Sequence, residues 1–158
     1  MEVILFRMKN LFLLLAFSFL MVTCDTLTAE EIARLSFTET SNTELNVEEV
    51  SLELKKGEKI HYWTEIDVEY ENDLSLVYDI EVWKDSVKLG GLQGNAFETN
   101  PTMMEIKKSF GSKTSWSFAG RMFTNTIKED GNYTFFAVIR SSDNPTLKLN
   151  KAELVLKK

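Results

Sequence analysis

From Val47 onward, apolar and polar residues alternate with a period of two. Val50, Leu52 and Leu54 alternate with Ser51 and Glu53, and Lys56-Gly57 then turns the chain. Ile60, Tyr62, Thr64, Ile66, Val68 and Tyr70 alternate with His61, Trp63, Glu65, Asp67 and Glu69. After a turn at Glu71-Asn72-Asp73, Leu76, Tyr78, Ile80 and Val82 alternate with Val77, Asp79, Glu81 and Trp83. Successive side chains of an extended strand point to opposite faces, so this spacing predicts antiparallel strands with one dry and one wet face. Helical spacing fits these stretches poorly, and β-branched and aromatic residues are abundant in them.

The rest of the chain continues the pattern. Gly90-Gly91 and Gly94-Asn95 read as a loop, and Met104 to Phe110 as a strand closed by Gly111. Trp116, Phe118 and Met122 belong to another strand, with Trp116 and Phe118 facing the core. Glu129-Asp130-Gly131 turns into Tyr133, Phe135, Ala137 and Ile139. Asp143-Asn144-Pro145 turns into Leu147 and Leu149, after which the inward phase shifts near Asn150 to Ala152, Leu154 and Leu156. A change of phase within one strand predicts a β-bulge. About eight short strands with turns between them predict an all-β fold, an antiparallel β-sandwich of jelly-roll or immunoglobulin-like type.

The start of the chain is different. Leu11 to Val22 is apolar apart from Ser18, too short to span a bilayer comfortably and suited to the apolar region of a signal peptide. Arg7 and Lys9 supply the basic flank, and Met8-Lys9-Asn10 reads as a natural start. Cys24 follows and is the sole cysteine, so it has no partner for an internal disulfide. Leu20-Met21-Val22-Thr23-Cys24-Asp25 resembles the lipobox of bacterial lipoproteins, with Thr23 where Gly, Ala or Ser is usual and Met21 where Leu is usual. In that family the thiol takes a diacylglycerol and the chain is cut before it. The resemblance implies a protein of the bacterial cell envelope held by a lipid on Cys24, in the outer membrane and facing the periplasm or the surface. Each buried methylene contributes about 0.8 kcal/mol, so several acyl chains give stable attachment. The organisation expected is a signal helix over 1–23, a lipidated cysteine and polar tether over 24–46, and the sandwich over 47–158. Within the tether, Glu30 to Leu35 is read as a helical turn and Arg34 to Thr38 as a short strand.

Two further resemblances concern the sandwich. Glu129-Asp130-Gly131-Asn132-Tyr133 resembles the corner of immunoglobulin-like domains in which a tyrosine hydroxyl bonds back to the chain. The paired cysteines of antibody domains are absent. The strand after Lys56-Gly57, the Gly131-Asn132-Tyr133-Thr134-Phe135 segment and the closing Lys151-Ala152-Glu153-Leu154-Val155-Leu156 strand are similar to GOLD-type and galactose-binding-like sandwiches. This second likeness spans roughly 50–158 and implies architecture alone.

Charge narrows the partners. The formal net charge is −6, and without Arg7, Lys9 and Glu2 the remaining chain carries 16 basic and 23 acidic side chains. That balance argues against a nucleic-acid partner, which needs clustered Lys and Arg. A single histidine, His61, rules out the usual two-histidine zinc site, and no nucleophile elbow or phosphate loop occurs. Pairing 60–70 with 74–84 as a hairpin around Asn72 predicts Glu65 opposite Asp79, Trp63 opposite Glu81 and His61 opposite Trp83. Glu65, Asp67, Asp79 and Glu81 then form either a solvated acidic face or a site for Ca²⁺, which takes several carboxylate oxygens. Trp63 and Trp83, with His61, form either a patch for a sugar ring or partner protein, or a surface covered by the 90–102 loop or the tether. The expected function is a non-catalytic envelope module that binds a protein or glycan, or serves as a structural accessory. The alternative is a glycan hydrolase using Glu65 with Asp79 or Glu81.

Overall fold

The computed structural model describes residues 29–40 and 46–158. Among these the chain forms nine strands: β1 (Glu31–Ser36), β2 (Glu48–Leu54), β3 (Lys59–Glu71), β4 (Leu76–Lys84), β5 (Val87–Asn95), β6 (Thr102–Phe110), β7 (Lys113–Thr126), β8 (Gly131–Ser141) and β9 (Lys148–Lys157). They make two antiparallel sheets. The first, sheet A, has the order β1-β9-β3-β7-β6; the second, sheet B, has the order β2-β8-β4-β5. First pairs with last and the pattern works inward: β1 with β9, β2 with β8, β3 with β7, β4 with β5. That is a long two-stranded ribbon wrapped into a sandwich, the arrangement of a jelly roll. β6 is added at the edge of sheet A through its hairpin with β7.

The all-β sandwich is as the alternation predicts, but three local expectations change. First, β3 and β4 do not form a hairpin, because β3 pairs with β7 and β9 while β4 pairs with β5 and β8. The turn at Asn72, held at a φ of 63°, carries the chain from one sheet to the other. Both strands have a dry face, and the two dry faces meet across the core instead of lying side by side in one sheet. Second, 87–95 is an edge strand in place of a loop; its main chain pairs with β4 although most of its side chains are exposed. Third, 31–36 is a strand in place of a helical turn. Leu35 is buried opposite Leu154, and Ala33 lies opposite Leu156, so the compact domain begins at Glu31 and not at Val47.

The core follows the even positions of β3 and β4. Ile60, Tyr62, Ile66 and Val68 face Leu76, Tyr78 and Ile80, joined by Phe135 and Ile139 of β8 and Leu154 and Leu156 of β9, all buried. Burial of this kind contributes roughly 25 cal/mol per Å² of apolar surface. The bulge predicted at Asn150 is present: Asp67 lies opposite Lys151 and Val68 opposite Leu149, which leaves Asn150 without a partner on β3. Leu149 and Ala152 therefore both pack on the core. The tyrosine corner is present too. Tyr133 donates its hydroxyl to the carbonyl of Glu129 at 2.9 Å. Gly57, at a φ of 91°, makes the turn between β2 and β3.

One polar link crosses the core. The Tyr78 hydroxyl on sheet B donates to the Glu153 carbonyl of sheet A at 3.1 Å. With its proton so used, it accepts from the Thr64 hydroxyl, also at 3.1 Å. Thr64 is fully buried, so this is its way of satisfying a polar group in an apolar layer. Tyr78→Phe leaves the Thr64 hydroxyl and the Glu153 carbonyl short of a partner and is expected to cost about 1–3 kcal/mol. Tyr133→Phe, at the rim, is expected to cost about 1 kcal/mol. Urea unfolding of both variants measures this, and a Tyr78→Phe midpoint equal to the native one rejects the role given to the link.

Candidate functional site

The outward positions of β3 and β4 lie on opposite sides of the sandwich, so the residues singled out in the sequence divide into two groups. His61, Trp63, Glu65 and Asp67 belong to the outer face of sheet A. Asp79, Glu81 and Trp83 belong to the outer face of sheet B. Neither the four-carboxylate cluster nor the paired tryptophans are assembled. Cys24 lies outside the described residues.

On sheet A, Arg34 of β1 reaches across β9 to β3. Its guanidinium bonds Glu31 at 2.6 Å, Glu65 at 3.1 Å and also the carboxylate of Glu153. Lys151 adds a bond to Glu65 at 2.6 Å and one to Glu153 at 3.2 Å. Burial pushes the Glu65 carboxyl up, but the hydrogen bonds from Arg34 and Lys151 outweigh it and bring the pKa down to about 2. Asp67 accepts from the Asn150 amide at 3.3 Å. His61 pairs its Nδ1 with the hydroxyl of Thr124 across the strand at 2.7 Å. Trp63 is only 3% exposed despite its outward register, and the Lys157 ammonium sits 4.6 Å from its ring centroid. Its indole nitrogen is buried without a hydrogen-bond partner. Among the described residues no group of three or more His, Cys, Asp or Glu side chains is placed to hold a metal. This face is an ionic lattice tying three strands together.

Sheet B presents a different surface. Trp83 packs edge-to-face against Phe136 of β8, with ring centroids 6.1 Å apart at 76°. With Val138 and Val47 they line a shallow depression of about 360 Å³, bordered by Asp79, Glu81 and Arg140. The Arg140 Nε bonds Asp79 at 2.7 Å, and the Gln93 amide donates to the other Asp79 oxygen at 2.8 Å. The Lys88 ammonium bonds Glu81 at 2.5 Å, and the Trp83 indole N–H donates to Glu81 at 3.3 Å. Hydrogen bonds from Lys88 and then Trp83 hold the Glu81 carboxyl below its ordinary range. Phe136, Val138, Arg140, Gln93 and Lys88 were not singled out in the sequence. One signal for the first two exists: Thr134-Phe135-Phe136-Ala137-Val138-Ile139 is apolar on both faces, so some apolar side chains had to point outward.

Two other features are notable. A larger opening of about 630 Å³ lies between the sheets beside Gly90-Gly91. Its lining combines core side chains, among them Tyr62 stacked on Phe123 at 4.5 Å and Tyr133 in its corner, with exposed Leu89 and the polar side chains of Asn125, Thr126 and Lys128. Phe110, at the tip of the β6–β7 hairpin, is 91% exposed. No protein-family model matches this chain, and no curated protein matches it significantly in sequence.

The Glu65 carboxyl gives the ionic lattice a pH dependence. Its folded pKa lies below the ordinary 4.5, so its contribution to stability is complete above about pH 5 and is lost as the pH falls toward 2. Urea midpoints at pH 7 and pH 3 are expected to differ less in Glu65→Gln than in the native chain. An equal difference in both rejects the assignment.

Proposed function

We propose that this chain is a non-catalytic recognition module of the bacterial cell envelope, tethered by a lipid on Cys24, whose recognition surface is the outer face of sheet B around Trp83. The observation that carries this reading is the Trp83–Phe136 pair. It is a half-buried aromatic pair on an outward sheet face, with apolar neighbours and a border of side chains already fixed in ion pairs. Aromatic anchors held in place beforehand lose little freedom when a partner arrives, and such groups dominate binding surfaces.

The hydrolase alternative draws no support from the carboxylates. A general acid at neutral pH needs a raised pKa in a desolvated setting. Glu65 and Glu81 are both shifted downward, and the two members of each acid pair once envisaged, Glu65 with Asp79 or Glu81, belong to different sheets. The lipid anchor rests on the leader sequence, with Cys24 as the attachment point.

Two experiments test the proposal. Cys24→Ser is expected to move the protein from the membrane to the soluble fraction on cell fractionation, and unchanged membrane retention would remove the anchor. The double variant Trp83→Ala with Phe136→Ala is expected to lose a partner recovered with the native chain from intact membranes, while its circular dichroism stays that of a β-sandwich. Full retention of the partner in that variant would move the recognition surface elsewhere.

A further inference from the structure

Resting on that reading, we infer that the outer face of sheet B takes a neutral oligosaccharide, stacked on Trp83 and running along the strands toward Arg140. Three observations lead there. The first is size. The depression, about 360 Å³, lies at the lower end of the range of small-ligand sites.

The second is charge. The rim holds two carboxylates, Asp79 and Glu81, and two cations, Arg140 and Lys88, already matched to each other. A charged ligand gains little from such a rim without breaking a pair. A polyol can accept from Arg140, Lys88 and the Gln93 amide and donate to Asp79 and Glu81 while both pairs persist. Charge-assisted hydrogen bonds of this kind are stronger than neutral ones. The apolar floor of Trp83, Phe136, Val138 and Val47 suits the carbon-bound face of a pyranose, which is what makes a ligand with both surfaces fit.

The third is length. Trp83 lies opposite Thr134 of β8, and Val77 lies opposite Arg140. The six steps from Thr134 to Arg140 rise roughly 20 Å along the strand, but the Arg140 side chain turns back to Asp79, which lies opposite Val138. A ligand touching both Trp83 and Arg140 therefore covers about four strand steps, roughly 13 Å, which is more than one ring. The Trp83 indole N–H is engaged with Glu81, which fixes the ring's orientation on this line.

The test is titration of the full chain with hexasaccharides of β-1,4-linked glucose, β-1,4-linked mannose and β-1,4-linked N-acetylglucosamine, and with a hexameric uronate. Tryptophan fluorescence and calorimetry provide the readout. The expected result is saturable binding of at least one neutral hexasaccharide, weakened at least tenfold in Trp83→Ala and largely retained in Trp83→Phe, with the circular dichroism of both variants that of the native β-sandwich. The monosaccharide of the same series is expected to bind more weakly than the hexasaccharide. Binding of the uronate alone, binding of none, or binding indifferent to Trp83→Ala overturns the inference. If every saccharide fails while a membrane partner still depends on Trp83 and Phe136, the ligand class falls and the recognition surface stands. If both fail, the recognition surface falls as well.

Discussion

The apolar layer between the two sheets is the constraint on which the rest of this molecule depends. β3, β4, β8 and β9 each have a dry face, and stability requires those faces to meet. The wrapped ribbon achieves this by sending β3 into one sheet and β4 into the other. The same step decides what remains outside. Once Ile60 through Tyr70 and Leu76 through Val82 face each other, His61 through Glu69 and Val77 through Trp83 must look in opposite directions. The chemistry of the surface is thus a by-product of how the core closes, and the polar link from Tyr78 to Thr64 and Glu153 fixes the two sheets against each other across it.

Similar residue types do different work on the two surfaces because their neighbours differ. Glu65 faces a guanidinium delivered from an edge strand and an ammonium from β9, and the result is a lattice spanning β1, β9 and β3. An edge strand such as β1, with six residues, has few main-chain bonds of its own, so an arginine reaching two strands inward is well placed to hold it. Single exposed ion pairs contribute little, but here five side chains share one network. On sheet B the ion pairs join neighbouring strands and leave the aromatic pair between them, so the charges frame a surface instead of covering it.

Much of the architecture was legible in the sequence. Period-two alternation located β2, β3, β4, β6, β7, β8 and β9, the phase change at Asn150 located a real bulge, and Tyr133 made the bond its corner implied. Partnership between strands was not legible. A turn such as Glu71-Asn72-Asp73 looks the same whether it closes a hairpin or crosses between sheets, and a pairing argument built on the wrong choice misplaced Glu65 against Asp79. Of the edge strands, β5 reads as a loop in the sequence, and the stretch of β1 as a helical turn over 30–35 followed by a short strand over 34–38. β5 is held chiefly by its main-chain bonds to β4, which leave no mark in side-chain periodicity, and Gly90 and Gly91 imitate a loop. Of the candidate site, Trp83, Asp79 and Glu81 were identified, while the β8 and β5 residues around them depended on knowing which strands flank β4.

β8 carries the final step. It lies between β2 and β4 in the interior of sheet B, and its inward residues Tyr133, Phe135, Ala137 and Ile139 are buried. Its outward residues Phe136 and Val138 are apolar as well, where an antiparallel sheet facing water ordinarily alternates to polar. Apolar side chains on a wet face lose the benefit of burial unless something covers them, and a strand apolar on both faces is an aggregation hazard when exposed. Val47 and Trp83 cover part of that surface from the two neighbouring strands, and Val138 is buried as a result. Neither side chain belongs to the apolar cluster between the sheets. The outward apolar pair Phe136 and Val138, beside a tryptophan and between two matched ion pairs, is thus the part of sheet B on which the proposed recognition surface rests.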